Sequence, residues 1–119
     1  MNERERLSLM ERALAYGGPT HTVGDVVALI HENKAQFWQQ GDGCIITEIH
    51  ETPLRKAVHY WIVFGGMHDC LALQPEIDEW AKGEGCTIAT ATGRRGWGRA
   101  LASSGWGPGL PTYRKDLAP

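Results

Sequence analysis

Ala57-Val58-His59-Tyr60-Trp61-Ile62-Val63-Phe64-Gly65-Gly66 is the stretch on which the fold turns. Its β-branched and aromatic residues are apolar on both faces, the pattern of a central strand covered from two sides. The two glycines end it. From Asp69 to Lys82 the period becomes helical, with Leu73, Ile77, Trp80 and Ala81 as the buried stripe and Pro75 marking the first turn of the longer part. Gly83 and Gly85 close this helix, and a small-residue strand, Thr87 to Thr92, follows.

Toward the N-terminus, Glu51 to Arg55, with Pro53 inside, connects the central strand to Cys44-Ile45-Ile46-Thr47-Glu48-Ile49-His50. The turn Gln40-Gly41-Asp42-Gly43 supplies the positive-φ positions of a hairpin and joins that strand to Ala35-Gln36-Phe37-Trp38-Gln39. Two helices come first. Residues 4–16 place Leu7, Met10 and Leu14 on one stripe with Leu9 and Ala13 beside it, and Gly17-Gly18-Pro19 stops them. Thr22 caps a second helix through Asp25, with Val23, Val26, Val27 and Ile30 forming an apolar face that ends near Asn33.

Beyond the Thr87–Thr92 strand lies Gly93-Arg94-Arg95-Gly96-Trp97-Gly98-Arg99-Ala100-Leu101-Ala102-Ser103-Ser104-Gly105-Trp106, read as a helix from about Arg95 to Ser104. Bare backbone with guanidinium groups suits an anion, but nothing resembling G-x-x-x-x-G-K-[ST] is present. A last short strand is expected at Thr112 to Leu117. The order is helix, helix, three antiparallel strands, helix, strand, helix, one or two strands. It predicts one α/β (α+β) domain over residues 1–119, a mixed and mostly antiparallel sheet flanked by helices.

The bulk numbers bound the partners. A chain of 119 residues holds one core. A formal charge of −2 gives no global field for nucleic acid or an anionic membrane, although Arg94, Arg95 and Arg99 form a local basic patch. Cys44, Cys70 and Cys86 are odd in number with no C-x-x-C pair, so neither a disulfide framework nor a zinc ribbon is indicated, and a reducing compartment is expected. No apolar run approaches a membrane span or a signal h-region, which predicts a soluble cytoplasmic protein.

The element order, together with Ile62-Val63-Phe64-Gly65-Gly66 before a helix and Ala100-Leu101-Ala102-Ser103-Ser104-Gly105-Trp106, resembles the GNAT superfamily of acetyl-CoA-dependent N-acetyltransferases. The latter segment is similar to the family's ending of a short helix in Gly-Phe. The resemblance spans most of the chain and implies a three-layer fold. The short length and the Gly-Arg-Arg-Gly-Trp run also resemble small GNAT-like proteins of tailed phages and prophages, which implies host cytoplasm or virion as the location.

Two departures bear on chemistry. The family's Q/R-x-x-G-x-G/A holds the coenzyme A pyrophosphate on amides at a helix start, whereas the matching stretch here is Gly65-Gly66-Met67-His68-Asp69-Cys70-Leu71, with a carboxylate near the diphosphate position. Many members also carry a Tyr four residues before the Gly-Phe glycine to protonate the thiolate, and that position is Leu101. Tyr60 and Tyr113 are the alternatives. These departures predict a protein that keeps the fold, requires no cofactor, and acts through contacts with a protein partner such as a phage structural protein, or as a homo-oligomer. Arg94, Arg95, Trp97 and Arg99 are its candidate contact residues.

The alternative is a divergent N-acyltransferase using acetyl-CoA held by Gly65, Gly66 and Met67, with Glu48 or His59 as base. His50 is a further candidate on the same strands. A tight hairpin centred near Pro53 pairs Glu48 with about Val58 and His59 with about Thr47, which sends the two side chains to opposite faces; a one-residue shift would reverse this. His68-Asp69-Cys70 is not read as a metal site, because adjacent residues rarely converge on one ion.

Overall fold

The computed structural model describes residues 1–16, 20–93, 95–110 and 112–117, without the side chains of residues 95 and 96. Gly17, Gly18 and Pro19, expected to stop the first helix, lie outside the described residues. Helix α1 (Glu3–Ala15) begins at Asn2, whose side chain accepts from the Glu5 amide at 2.8 Å. Helix α2 (Val23–His31) starts in the capping box expected from Thr22 and Asp25, each side chain bonded to the other's backbone N–H. Those bonds hold the Asp25 carboxyl below the usual carboxylate range.

Three antiparallel strands follow, β1 (Gln36–Gln40), β2 (Gly43–Thr52) and β3 (Arg55–Gly65). Gly41, at φ 54°, makes the turn between the first two. The single expected helix from Asp69 is two: α3 (Met67–Ala72) and α4 (Gln74–Gly83), broken at Leu73. Pro75 lies in the first turn of α4, where a missing N–H costs nothing. Strand β4 (Ile88–Ala91) then runs parallel to β3, and α5 (Arg95–Ala102) follows.

The sheet order is β1-β2-β3-β4, with helices on both faces. Met10, Leu14 and Val26 of α1 and α2 pack with Cys44, Ile46, Ile62 and Phe64 on one face. On the other, Cys70, Leu73, Ile77 and Ala81 of α3 and α4 pack with Ile45, Val58 and Tyr60. The mixed, mostly antiparallel three-layer arrangement agrees with the reading from sequence.

Three expectations are corrected. Leu7 is 38% exposed and lies off the buried stripe of α1, which runs through Met10 and Leu14. Residues 112–117 form no strand, because no neighbouring strand receives their backbone bonds. The third correction is the register of β2 on β3.

Ile46 pairs with Ile62 but Thr47 with Tyr60, so Trp61 is an extra residue in β3, a bulge. Consecutive residues Trp61 and Ile62 both pack on the α1–α2 face as a result. The Glu48↔His59 pairing comes from the turn itself: Thr52 pairs with Arg55 across Pro53-Leu54, one register step from a hairpin centred on Pro53, and that register holds as far as Thr47↔Tyr60.

Candidate functional site

Strand β3 carries the site. It pairs with β4 from Ala57↔Ile88 to Tyr60↔Ala91 and then runs on to Gly65 without that neighbour. Beyond Tyr60 the edge of β3 is unpaired on that side, at the end at which parallel strands place ligands.

On the α1–α2 face, the pairing of Glu48 with His59 gathers a polar cluster. The His50 and His59 rings stack at 4.8 Å, and His50 Nε2 lies 2.9 Å from Glu48 Oε1. His59 Nδ1 is hydrogen-bonded to Thr90 Oγ1 at 2.8 Å, which ties β3 to β4 and fixes the ring. Thr90 was missed by sequence reasoning, since only the parallel pairing of these strands brings it to His59. Further along the same face His21 meets Trp61 edge-on at 4.8 Å.

Burial, then the neighbouring His50, hold the His59 imidazole below its ordinary value of 6.5, against the opposing pull of Glu48. The ring is thus neutral at pH 7 with a lone pair available, the state a proton acceptor needs. Because the folded value is depressed, the unfolded chain binds more protons through this window. His59 therefore contributes stability that is complete above 6.5 and lost as pH falls through the folded value. Melting temperature plotted against pH is expected to fall more steeply below pH 6.5 for the native chain than for His59→Gln. Parallel profiles would exclude this linkage.

The coenzyme side is built differently. Strand β3 passes into α3 through one residue, Gly66. The Gly66 N–H donates to the Asp42 carbonyl at 2.8 Å, and the Asp42 N–H donates to Asp69 Oδ2 at 2.9 Å. Gly65 has φ 89°, and a Cβ there would fall 1.9 Å from the Asp42 carbonyl oxygen. A Cβ on Gly43 would fall 2.6 Å from the Cys70 amide nitrogen. The β1–β2 turn is thus seated against the start of α3.

These residues do not fit a diphosphate. Gly65, Gly66 and Met67 form a one-residue passage instead of an anion-wrapping loop, the Gly66 amide is already bonded, and Asp42 and Asp69 place two carboxylates there. Cys70 is 2% exposed; burial pushes its thiol up to about 11, which leaves no thiolate for nucleophilic work.

The proton-donor side is equally altered. Leu101 lies in α5. The Tyr60 hydroxyl donates to Asp78 Oδ1 at 2.7 Å, and burial followed by that carboxylate raises its pKa well above the ordinary phenol value. Tyr113 is 88% exposed in the tail. Tyr60 thus lies at the end of the β3–β4 pairing with its hydroxyl already bonded to Asp78.

Trp97, which the sequence leaves between core packing and an exposed contact, is half-buried against the α3–α4 core and lies over Gly93. Arg99 is exposed on α5. Arg94 and the Arg95 side chain lie outside what is described. Trp106 donates Nε1–H to Gln74 at 2.7 Å and meets Tyr60 edge-on, so the Gly105-Trp106 ending locks α5 and the segment after it to the sheet. Among the described residues no group of three His, Cys, Asp or Glu side chains is placed to hold a metal ion, and no helix is long and apolar enough to cross a membrane.

The layers, the bulged central strand and its opening from β4 define an acetyltransferase-type, GNAT-like fold. No family model matches the chain, and no curated protein matches it. Among solved structures it is similar to a Trypanosoma brucei acetyltransferase at TM-score 0.64 and 15% identity, covering 98% of this chain and 96% of that one. It is similar to a probable acetyltransferase at TM-score 0.71 and 7% identity, over 98% and 92% of the two chains. An aminoglycoside acetyltransferase from an uncultured soil sample, in complex with sisomicin, superposes at TM-score 0.65 and 8% identity, over 98% and 91%. At these identities the likeness is one of fold.

Proposed function

We propose that this GNAT-fold protein acts through contacts with a protein partner, as a structural or accessory component, and not by acetyl transfer. The observation that carries the reading is the direct passage of β3 into α3 through Gly66, with Asp69 bonded to the β1–β2 turn where the fold's coenzyme diphosphate would need free amides. Leu101 and the sequestered Tyr60 support it, since a leaving thiolate would have no side-chain acid. The contact surface is assigned to the stretch that carries Arg94, Arg95, Trp97 and Arg99, of which Arg99 is exposed on α5. The Gly-Arg-Arg-Gly-Trp run supports placing the protein with the small GNAT-like accessory proteins of tailed phages and prophages.

One observation favours the second reading, an N-acyltransferase: His59, neutral and opposite Glu48, has the properties of a base for an attacking amine. The two readings part on turnover. Incubated with acetyl-CoA and a panel of primary amines, the protein is expected to release no free thiol above the buffer rate. Steady thiol release that His59→Gln abolishes would establish the transferase instead.

A further inference from the structure

We infer that the chain binds a small alkylammonium ion in a groove at the end of the sheet remote from the β3–α3 passage. The groove measures about 520 Å3, the size of a small-molecule site, and Gln36, Ile49, Glu51, Lys56, Trp80 and Glu84 line it. Lys56 in its wall and Gly65 at the passage stand near opposite ends of β3, about 30 Å apart along the strand.

The groove exists because three elements stop short of the same stretch of sheet. Pairing of β1 with β2 begins at Gln36↔Thr47, so β2 beyond Thr47 has no neighbour on that side. Helix α4 ends at Gly83, with Trp80 in its last turn. The sheet face past these ends carries Ile49 and Glu51 on β2, with Lys56 directly opposite Glu51 on β3.

Charge selects the occupant. Although Glu51 faces Lys56 across the strands, among the described residues neither of them, nor Glu84, closes an ion pair. All three act on one point beside the groove, the Cys86 thiol: burial raises it above its ordinary value, Lys56 opposes, and Glu84 and Glu51 add to the rise. Two carboxylates against one ammonium leave the groove negative, and the carbonyl end of α4 at Gly83 and Glu84 adds to that. An anion is therefore disfavoured. A bare metal ion would need converging ligands, and among the described residues no group of three His, Cys, Asp or Glu side chains offers them. An alkylammonium needs only carboxylates within reach of its charge and apolar surface for its methylenes, and Trp80 and Ile49 supply that surface.

Two-dimensional NMR of the isotope-labelled full chain at low ionic strength tests this with three probes of one chain length. Titration with n-butylammonium chloride is expected to shift the Trp80 indole N–H saturably, whereas neutral n-butanol and anionic butyrate give no saturable shift. The double change Glu51→Gln, Glu84→Gln, on two exposed side chains, is expected to raise the Kd for n-butylammonium at least about tenfold, with an unchanged melting temperature. Absence of a saturable shift with n-butylammonium overturns the proposal. So does an equal response to n-butanol or butyrate, or an affinity that the double change leaves intact.

Discussion

Gly65→Ala is expected to unfold the β3–α3 junction. Two costs add at this position. Its φ of 89° is a conformation that side-chain-bearing residues rarely adopt, and a Cβ would fall 1.9 Å from the Asp42 carbonyl oxygen. That oxygen accepts the Gly66 N–H, so moving it breaks the bond that seats the β1–β2 turn. A loss of about 4 kcal/mol is expected, the range reserved for strain combined with a broken network. For a chain of this size that lowers Tm by about 15 °C. Gly98→Ala in α5 is the control: nothing lies within 4 Å of its Cβ position, and it is expected to gain about 0.5–1 kcal/mol from helix propensity. A Gly65→Ala protein melting with the native chain would show that the turn does not lock the passage.

Leu73→Ala carries the second large effect. Leu73 is 1% exposed and stands where α3 ends and α4 begins, so its side chain fills the angle between the two helices and the sheet. Truncation removes buried methyl groups and leaves a cavity at a junction that cannot close without moving one helix. The expected cost is about 2–5 kcal/mol, measured by denaturant unfolding. A loss below about 1 kcal/mol would mean that the kink is held by Pro75 and the backbone, and not by packing.

Most of the fold was legible in the residues. The apolar run Ala57–Phe64, the Gly41–Gly43 turn, the Thr22–Asp25 capping box and the Gly83 stop all carry local signals, and each element appears at that place. Leu73, Ile77 and Ala81 are buried as their spacing predicts. What escaped depends on contacts between distant segments. No feature of Trp61 marks it as the bulge, because a bulge exists only relative to the partner strand; the meeting of Glu48, His50 and His59 was hidden by the turn, which centres between Pro53 and Leu54, one register step from a hairpin centred on Pro53. The segment 112–117 was expected as a strand, but a strand is completed by its neighbour, and among the described residues none pairs with it.

The site was legible in the same uneven way. Asp69 and Leu101 departed from the resemblance at positions that chemistry makes decisive, and the geometry supplies the physical reason for the first: Asp69 is bonded to the Asp42 amide of the turn. Trp97, between glycines and arginines, could pack or be exposed as far as the sequence shows, and its ring is half-buried against the core. Glycine neighbours describe the backbone, and they leave open where a large ring packs.

We propose that the fold has given up its coenzyme, and the melting temperature of the native chain in rising acetyl-CoA tests that directly. Any ligand bound only by the folded state stabilises it, by about 2.7 kcal/mol when present at a hundredfold its Kd. With Asp69 and the bonded Gly66 amide at the start of α3, Tm is expected to stay constant up to millimolar acetyl-CoA. A saturable rise in Tm would contradict the account.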